Sequence, residues 1–205
     1  MKVGMIFECG QKGADGKVYP HLAKAIRCDL EIIPYFLDSK TKLTEQCGGV
    51  AKYLMEGKGC EKVVIIWDFR PFWLDNREDK TKPCPVQGCQ QIQTALAGAQ
   101  LTSQQRNKVH LICIVQELET FLLVDESAIC AYFEEIKKRP CKVQSMKNPE
   151  RISNPKERLH GIFQQNGYRK YDDLKDAERI AQLISIDKLK RRKAFERFER
   201  TIRSL

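Results

Sequence analysis

The chain has 205 residues and a formal net charge of +9. Its length suits one full hydrophobic core with a small appendage and excludes two large domains. No window holds the roughly 20 uninterrupted apolar residues that a membrane-spanning helix needs, and Glu8 comes too early for a secretory signal. We therefore expect a cytoplasmic protein that does not enter a membrane.

The predicted strands are short apolar runs that alternate with helical patterns through the first two thirds of the chain. They cover residues 3–7, 31–37, 63–67 and 109–115. Pro34 favours an edge position for the second strand. The third strand is apolar without alternation, as expected of a central parallel strand that is covered on both faces. Apolar residues at three-to-four spacing predict a helix after each of the first three strands, around residues 18–26, 43–54 and 92–99.

The last third of the chain has a helical pattern and a strong positive charge. Asn154-Pro155-Lys156-Glu157 predicts a helix start, and apolar stripes predict two more helices around residues 174–184 and 195–205. Residues 137–205 carry 20 Lys and Arg against 9 Asp and Glu, whereas residues 1–136 carry 16 against 18. This asymmetry favours a polyanion or an acidic protein partner, and a solvated helical surface explains it equally well.

This order of elements predicts an α/β fold with a mainly parallel sheet flanked by helices. We predict an α/β domain over residues 1–140 and a basic helical C-terminal region over residues 141–205 that packs on it. The nine cysteines are scattered and several lie in apolar runs, which predicts reduced core residues. Cys84 and Cys89 are the exception because their loop-like setting could expose both sulfurs, although no second pair at zinc-finger spacing accompanies them.

Acidic residues follow three of the predicted strands. Glu8, Asp68 and Glu117 each come at or just after a strand end. Because the carboxyl ends of parallel strands meet at one edge of a sheet, we expect these side chains to converge there. Gathered carboxylates repel one another unless a hard divalent ion neutralises them, so Mg, or Mn in its place, is the expected ligand. Glu119 would point to the same side as Glu117 if the strand continued and would diverge if a helix began.

Several segments together resemble the bacterial domain-of-unknown-function family 4276. They are Glu8-Cys9-Gly10, Asp68, the run from Gln116 to Asp125, Asn154-Pro155-Lys156-Glu157 and Tyr168-Arg169-Lys170. The resemblance implies a Toprim-like domain, the metal-binding fold of topoisomerases, primases and overcoming-lysogenization-defect nucleases. It also implies a setting in phage defence, with an ATPase partner encoded nearby.

The resemblance implies metal ligands at Glu8, Asp68, Glu117 and Glu119. The sequence departs from the Toprim pattern at Arg70, which stands where a second Asp is expected, and at Cys9, which precedes Gly10. Arg70 either contacts a phosphate or marks a lost metal ligand. Acids in the segment that follows would have to compensate for such a loss, and the candidates are Asp75, Glu78 and Asp79.

Two functions fit these residues. The first is Mg-dependent phosphotransfer on nucleic acid by a Toprim-like nuclease, a hydrolase with catalytic roles for Glu8, Asp68 and Arg70. Basic residues of the C-terminal region would hold the nucleic acid backbone; they are Lys188, Lys190, Arg191, Arg192, Lys193, Arg197 and Arg200. The alternative is a catalytically silent module that binds nucleic acid or an ATPase. Both interpretations allow a homo-oligomer.

Overall fold

The computed structural model describes residues 1–69, 85–138 and 141–205, without the side chains of Phe69, Pro85 and Lys137. Four strands, β1 (Lys2–Phe7), β2 (Glu31–Phe36), β3 (Lys62–Phe69) and β4 (Val109–Val115), form one sheet. Their order is β2-β1-β3-β4 and every pairing is parallel. The predicted α/β class is confirmed, as are the central position of β3 and the edge position of the strand that contains Pro34.

Ten helices belong to the described part of the chain. They are α1 (Asp15–Ile26), α2 (Lys40–Glu56), α3 (Pro85–Gly98), α4 (Ser103–Arg106), α5 (Glu119–Leu122), α6 (Glu126–Lys137), α7 (Pro155–Gln165), α8 (Asp173–Leu183), α9 (Ile186–Lys190) and α10 (Lys193–Ser204). A 3-10 turn lies at Pro149–Arg151. The predicted elements do not include α5 and α6, although the spacing of Ile129, Tyr132 and Phe133 is helical. None of these helices is long and apolar enough to cross a membrane.

The two faces of the sheet carry different helices. Val64 and Ile66 of β3 point into a large core with α1 and the helices that follow β4, whereas Ile65 and Trp67 point into a smaller core with α2 and α3. The unbroken apolar run of β3 is thereby explained, since both of its faces are buried. Gly48 lets α2 and α3 approach closely, because a Cβ there would lie 2.2 Å from the carbonyl oxygen of Ala95.

The C-terminal region shares the larger core. Phe195, Phe198 and Ile202 of α10 are fully buried, and α10 packs on α1, α9 and β4. The predicted packing of basic helices on the α/β part is therefore present. The boundary at residue 140 stays a prediction, because one hydrophobic core joins described residues from both sides of it.

Asp125 connects the α/β part to the C-terminal region. Its carboxylate caps α6 by accepting hydrogen bonds from the backbone of Ser127 and Ala128. It also accepts a hydrogen bond from the Ser185 backbone at 3.0 Å and one from Lys188 Nζ at 2.6 Å. Burial alone would raise the pKa of Asp125, but these donors outweigh it and lower the pKa below its usual value.

We predict that Asp125→Asn lowers the free energy of unfolding by about 2 kcal/mol, because a buried charge-assisted network loses its acceptor. The folded pKa is lowered, so the stabilisation is complete above the unfolded pKa near 3.8 and is lost as the pH falls through the folded pKa. Urea unfolding at neutral and acidic pH measures both effects. Asp187→Asn is the control, since its side chain is 80% exposed and its ion pair with Lys190 should contribute less than about 1 kcal/mol. Equal losses in the two variants would contradict the assignment.

Candidate functional site

Asp68 lies inside β3 and not after it. The strand was predicted to end at Trp67, but its pairing with β4 continues, and Asp68 stands opposite Ile114. Side chains alternate along a strand, so Asp68 is on the same face as Val64 and Ile66, which are covered by α1. The sheet therefore fixes the position of this carboxylate at its C-terminal edge.

Three residues contact Asp68 directly. Its backbone N–H donates to Glu8 Oε1 at 3.3 Å, which brings the acid that follows β1 to the end of β3. The hydroxyl of Tyr19, a fully buried residue of α1, donates to Asp68 Oδ1 at 3.4 Å. Lys40, the first residue of α2, donates from Nζ to the carbonyl oxygen of Asp68 at 3.5 Å. The predicted approach of Glu8 to Asp68 is therefore present.

The chain leaves β4 through a left-handed residue. Gln116 has φ 75°, a conformation that non-glycine residues adopt only when their surroundings hold them. Its side chain accepts a hydrogen bond from Thr120 Oγ1 at 3.1 Å and donates to the carbonyl oxygen of Glu150. Because of this turn, β4 does not continue and α5 begins at Glu119.

Glu117 and Glu119 therefore sit on a turn and at a helix start. Glu119 is 4% exposed and Glu117 is partly exposed. The two carboxylates still influence each other, because burial raises the pKa of Glu119 to about 7 with a further contribution from the charge of Glu117. The helical alternative of the sequence analysis is the one that the structure contains, and the side chains remain close enough to interact.

Asp68 is the electrostatic centre of the group. Burial raises the pKa of Asp68 well above its usual value. Four nearby carboxylates raise this pKa further through their negative charge; they belong to Asp15, Glu8, Glu119 and Glu117. Burial likewise raises the pKa of Glu8, although the Asp68 N–H and Lys40 oppose this. Burial and the charge of Glu8 raise the pKa of Asp15 to about 6. Carboxylates from separate elements thus act on one another at a single edge of the sheet.

The C-terminal region contributes to the same edge. Asp173, the first residue of α8, raises the pKa of both Asp15 and Glu119, so it belongs to the group. Lys156 of α7 pairs with Asp173 at 3.0 Å, and its charge lowers the pKa of Asp15 and Glu119. We call Glu8, Asp15, Asp68, Glu117, Glu119 and Asp173 the acid cluster.

Sequence reasoning missed Tyr19 and four charged participants. Asp15 and Lys40 are the first residues of α1 and α2, the helices that follow β1 and β2. Helix N-termini lie at the same edge as strand C-termini, so these positions were a usable signal. Lys156 and Asp173 begin or nearly begin α7 and α8, and nothing in the sequence relates those helices to the sheet edge.

The acid cluster has the chemistry of a divalent metal site but not the closed geometry of one. Its donors are carboxylate oxygens, which Mg²⁺ and Mn²⁺ prefer, and Glu8 Oε2 is buried without a hydrogen-bond partner among the described residues. In residues 1–69, 85–138 and 141–205, however, no group of three or more His, Cys, Asp or Glu side chains is arranged to hold an ion. The residues therefore fit such an ion chemically, and binding would require side chains to rotate.

Some predicted residues lie outside the described part of the chain. Arg70 follows the last described residue of β3, and the segment that contains Asp75, Glu78 and Asp79 is also undescribed. The same holds for Cys84, so the alternative of a zinc site with Cys89 stays untested. The interpretation of Arg70 as a phosphate contact or as a lost ligand remains open.

The predicted nucleic-acid-binding residues divide into engaged and exposed side chains. Lys188 is engaged, since it donates to Asp125 and to Ser127 Oγ. Arg192 is engaged as well, because it donates to the carbonyl oxygen of Lys147 at 2.8 Å. These two cations join parts of the fold.

The other five predicted nucleic-acid-binding residues are exposed, and they lie on α9, on α10 or between these two helices. They are Lys190, Arg191, Lys193, Arg197 and Arg200. Lys190 pairs with Asp187 at 3.3 Å, and Arg197 makes a long contact of 3.5 Å to the carbonyl oxygen of Leu111. Lys193, Arg197 and Arg200 share α10 with the buried stripe of Phe195 and Phe198, so the helix presents these charges away from the core.

Comparisons with known proteins place the chain in a family. No curated protein sequence gives a significant match. Among solved structures, the C-terminal region of the Burkholderia pseudomallei OLD protein is similar, with 16% identity, a TM-score of 0.49, and coverage of 98% of this chain and 96% of that one. We draw no functional conclusion from that likeness. Residues 37–203 match the model of the family described as Domain of unknown function (DUF4276), a range that begins after Glu8 and Asp15, and the chain therefore belongs to that family.

Proposed function

We propose that this protein is a divalent-metal-dependent nuclease whose centre is the acid cluster. The observation that carries the proposal is the meeting of carboxylates from separate elements at the C-terminal edge of the sheet, where Glu8 contacts Asp68 and where burial and the neighbouring negative charges raise the pKa of Asp68. The repulsion between these carboxylates destabilises the folded protein, and a bound cation is the usual compensation for such a cluster. Magnesium, or manganese in its place, suits the all-oxygen donors.

Each residue has a role that follows from its position. Asp68, Glu117 and Glu119 would hold the ion with Glu8, and Tyr19 would orient the Asp68 carboxylate through its hydrogen bond. Glu8 Oε2 is free to accept a proton from an attacking water, because Oε1 already accepts the Asp68 N–H. A bound divalent ion would offset the charge that builds on the scissile phosphate.

Cations flank the acid cluster and suit a phosphate backbone. Lys40 and Lys156 lie beside it, at the starts of α2 and α7. The exposed cations of α9 and α10 would add sequence-independent attraction to nucleic acid. An ATPase partner and a setting in phage defence remain proposals that come from the family resemblance, and co-purification with an ATPase encoded nearby tests them.

A second candidate is the catalytically silent binding module. It is favoured by the absence of a preformed metal-holding group among the described residues, and by Lys156, which already pairs with one acid of the cluster. In that case the acid cluster would bind a basic segment of a partner. The two candidates differ in whether a divalent ion binds the acid cluster and thereby stabilises the protein.

We predict that magnesium stabilises the protein more at high pH than at low pH. The pKa of Asp15 is raised to about 6 and that of Glu119 to about 7, so the folded state keeps protons that the unfolded chain has released. Stability from these groups is therefore lost as the pH rises through about 4 to 7. Thermal unfolding between about pH 5 and pH 8 should show a falling Tm that added magnesium restores.

The matched variants for this prediction are Glu119→Gln and Glu45→Gln. The first removes one charge of the acid cluster and should flatten the pH dependence and weaken the effect of magnesium. The second removes an exposed charge on α2 and should change neither. If magnesium does not change the Tm of the unaltered protein at any pH, the catalytically silent binding module is favoured.

We predict that cleavage of DNA or RNA requires added magnesium or manganese and that Asp68→Asn reduces it by about 100-fold or more, because the central ligand is lost. Binding of nucleic acid should persist, since it depends on cations elsewhere. Cleavage of labelled single- and double-stranded substrates, with binding measured on the same substrates, separates the two effects. Metal-independent cleavage, or cleavage that survives in Asp68→Asn, would contradict the proposal.

Two variants of Arg70 separate the two roles that the sequence allows for it, with turnover and magnesium affinity as the measurements. If it contacts the phosphate, Arg70→Ala weakens turnover and leaves metal affinity unchanged. If it replaces a ligand, Arg70→Asp strengthens magnesium binding measured by calorimetry. The two variants therefore decide between the alternatives that the sequence leaves open.

We predict that the exposed cations bind nucleic acid and that the engaged ones do not. The double variant Arg191→Ala/Lys193→Ala should weaken binding and reduce the slope of log affinity against log salt by about 2, since each cation releases about one counterion. The control is Lys24→Ala/Lys58→Ala, which removes the same charge from exposed positions elsewhere. Equal effects of the two double variants in gel-shift titrations would assign binding to net charge and not to α9 and α10.

A further inference from the structure

Two partly exposed cysteines, one on α6 and one at the start of the C-terminal region, lie in sulfur contact. Cys141 Sγ donates to Cys130 Sγ at 3.3 Å, and Cys130 Sγ donates to the carbonyl oxygen of Cys141 at 3.4 Å. A disulfide bond is about 2.0 Å long, so the sulfurs need to approach by only roughly 1.3 Å. Neither thiol takes part in the proposed nuclease site.

Cys130 and Cys141 come from two neighbouring segments of the chain. Cys130 lies within α6, and Lys138, the residue that caps the C-terminus of this helix, has the left-handed conformation with φ 55°. Cys141 then lies back alongside α6, packed at the margin of the larger core. Both side chains are partly exposed, so a small oxidant can reach them.

Three other cysteines are less reactive because of burial. Burial raises the pKa of Cys9 and Cys113 to about 12 and that of Cys47 to about 11, so these groups stay protonated thiols at neutral pH. The thiolate is the nucleophile in oxidation, and buried thiols are poor ones. Cys28 is exposed and is therefore an internal reference for reactivity without a neighbouring sulfur contact in the structure.

We propose that Cys130 and Cys141 are a redox modification site that forms a reversible disulfide with a peroxide as the oxidant. One thiolate attacks the peroxide, the O–O bond breaks, and hydroxide leaves and is protonated to water, which yields a sulfenic acid. The second thiolate attacks that sulfur, the S–O bond breaks, and a second water leaves as the S–S bond forms. Two thiols lose two electrons, and hydrogen peroxide is reduced to two waters.

The disulfide fastens the segment that leads to α7 onto α6. It closes a short loop between residues 130 and 141, which restricts the unfolded chain and stabilises the folded one. The segment that follows Cys141 leads to α7, which carries Lys156 of the site. Oxidation therefore fixes the start of the basic region on the rest of the fold, and a thiol reductant releases it.

The test is peptide mapping of the full chain after treatment with hydrogen peroxide and alkylation of the remaining thiols. Cleavage after Lys138 separates Cys141 from Cys130, and cleavage after Glu126 separates Cys130 from Cys113. We expect a linked peptide pair that contains Cys130 and Cys141, that is 2 Da lighter than the two reduced peptides together, and that separates on reduction. We also expect the oxidised chain to unfold at a Tm roughly 5 to 10 °C higher.

The matched variants are Cys130→Ser and Cys28→Ser. The Tm increase on oxidation should be absent in Cys130→Ser and unchanged in Cys28→Ser. Serine fits the partly exposed position 130, and the peptide map of the unaltered chain decides the question even if that variant is unstable. Alkylation of Cys130 and Cys141 after peroxide treatment, or linkage of either one to a different cysteine or a second chain, would overturn the proposal.

Discussion

The continued pairing of β3 with β4 beyond the apolar run is the constraint on which the site depends. It holds Asp68 in the sheet, on the face that α1 covers, so the carboxylate cannot turn away from its neighbours as a loop residue could. Glu8 is brought to it by the adjacent strand and Tyr19 by the covering helix. A carboxyl group fixed at the end of a parallel sheet then defines where the other acids gather.

The C-terminal region is part of the site and not an attachment to it. Its helices cover one face of the sheet with Phe195 and Phe198, and Lys156 and Asp173 reach the edge where Asp68 lies. Removing this region would expose the larger core and also change the charge around the acid cluster. A nuclease centre and a binding surface for a polyanion would therefore be built from one continuous core.

The many cations of that region serve two purposes. Arg169, between α7 and α8, forms two hydrogen bonds with the fully buried Asp176 of α8, and Lys188 bonds to Asp125, so these charges connect parts of the fold. Other cations, on the outer side of α10, remain exposed. Net charge by itself overstates the surface available to nucleic acid, because a pair that is buried is no longer free to attract phosphates.

The sequence by itself determined the parallel α/β sheet, its central and edge strands, and the meeting of Glu8 with Asp68, because apolar runs, Pro34 and strand ends are local signals. It also determined that the last third is helical and basic. Only the tertiary structure decided that Gln116 turns the chain so that α5 begins at Glu119, and that Lys156 and Asp173 join the same edge. These features depend on how helices dock and on which side chains share a buried space, and neither is encoded in the spacing of residues along one segment.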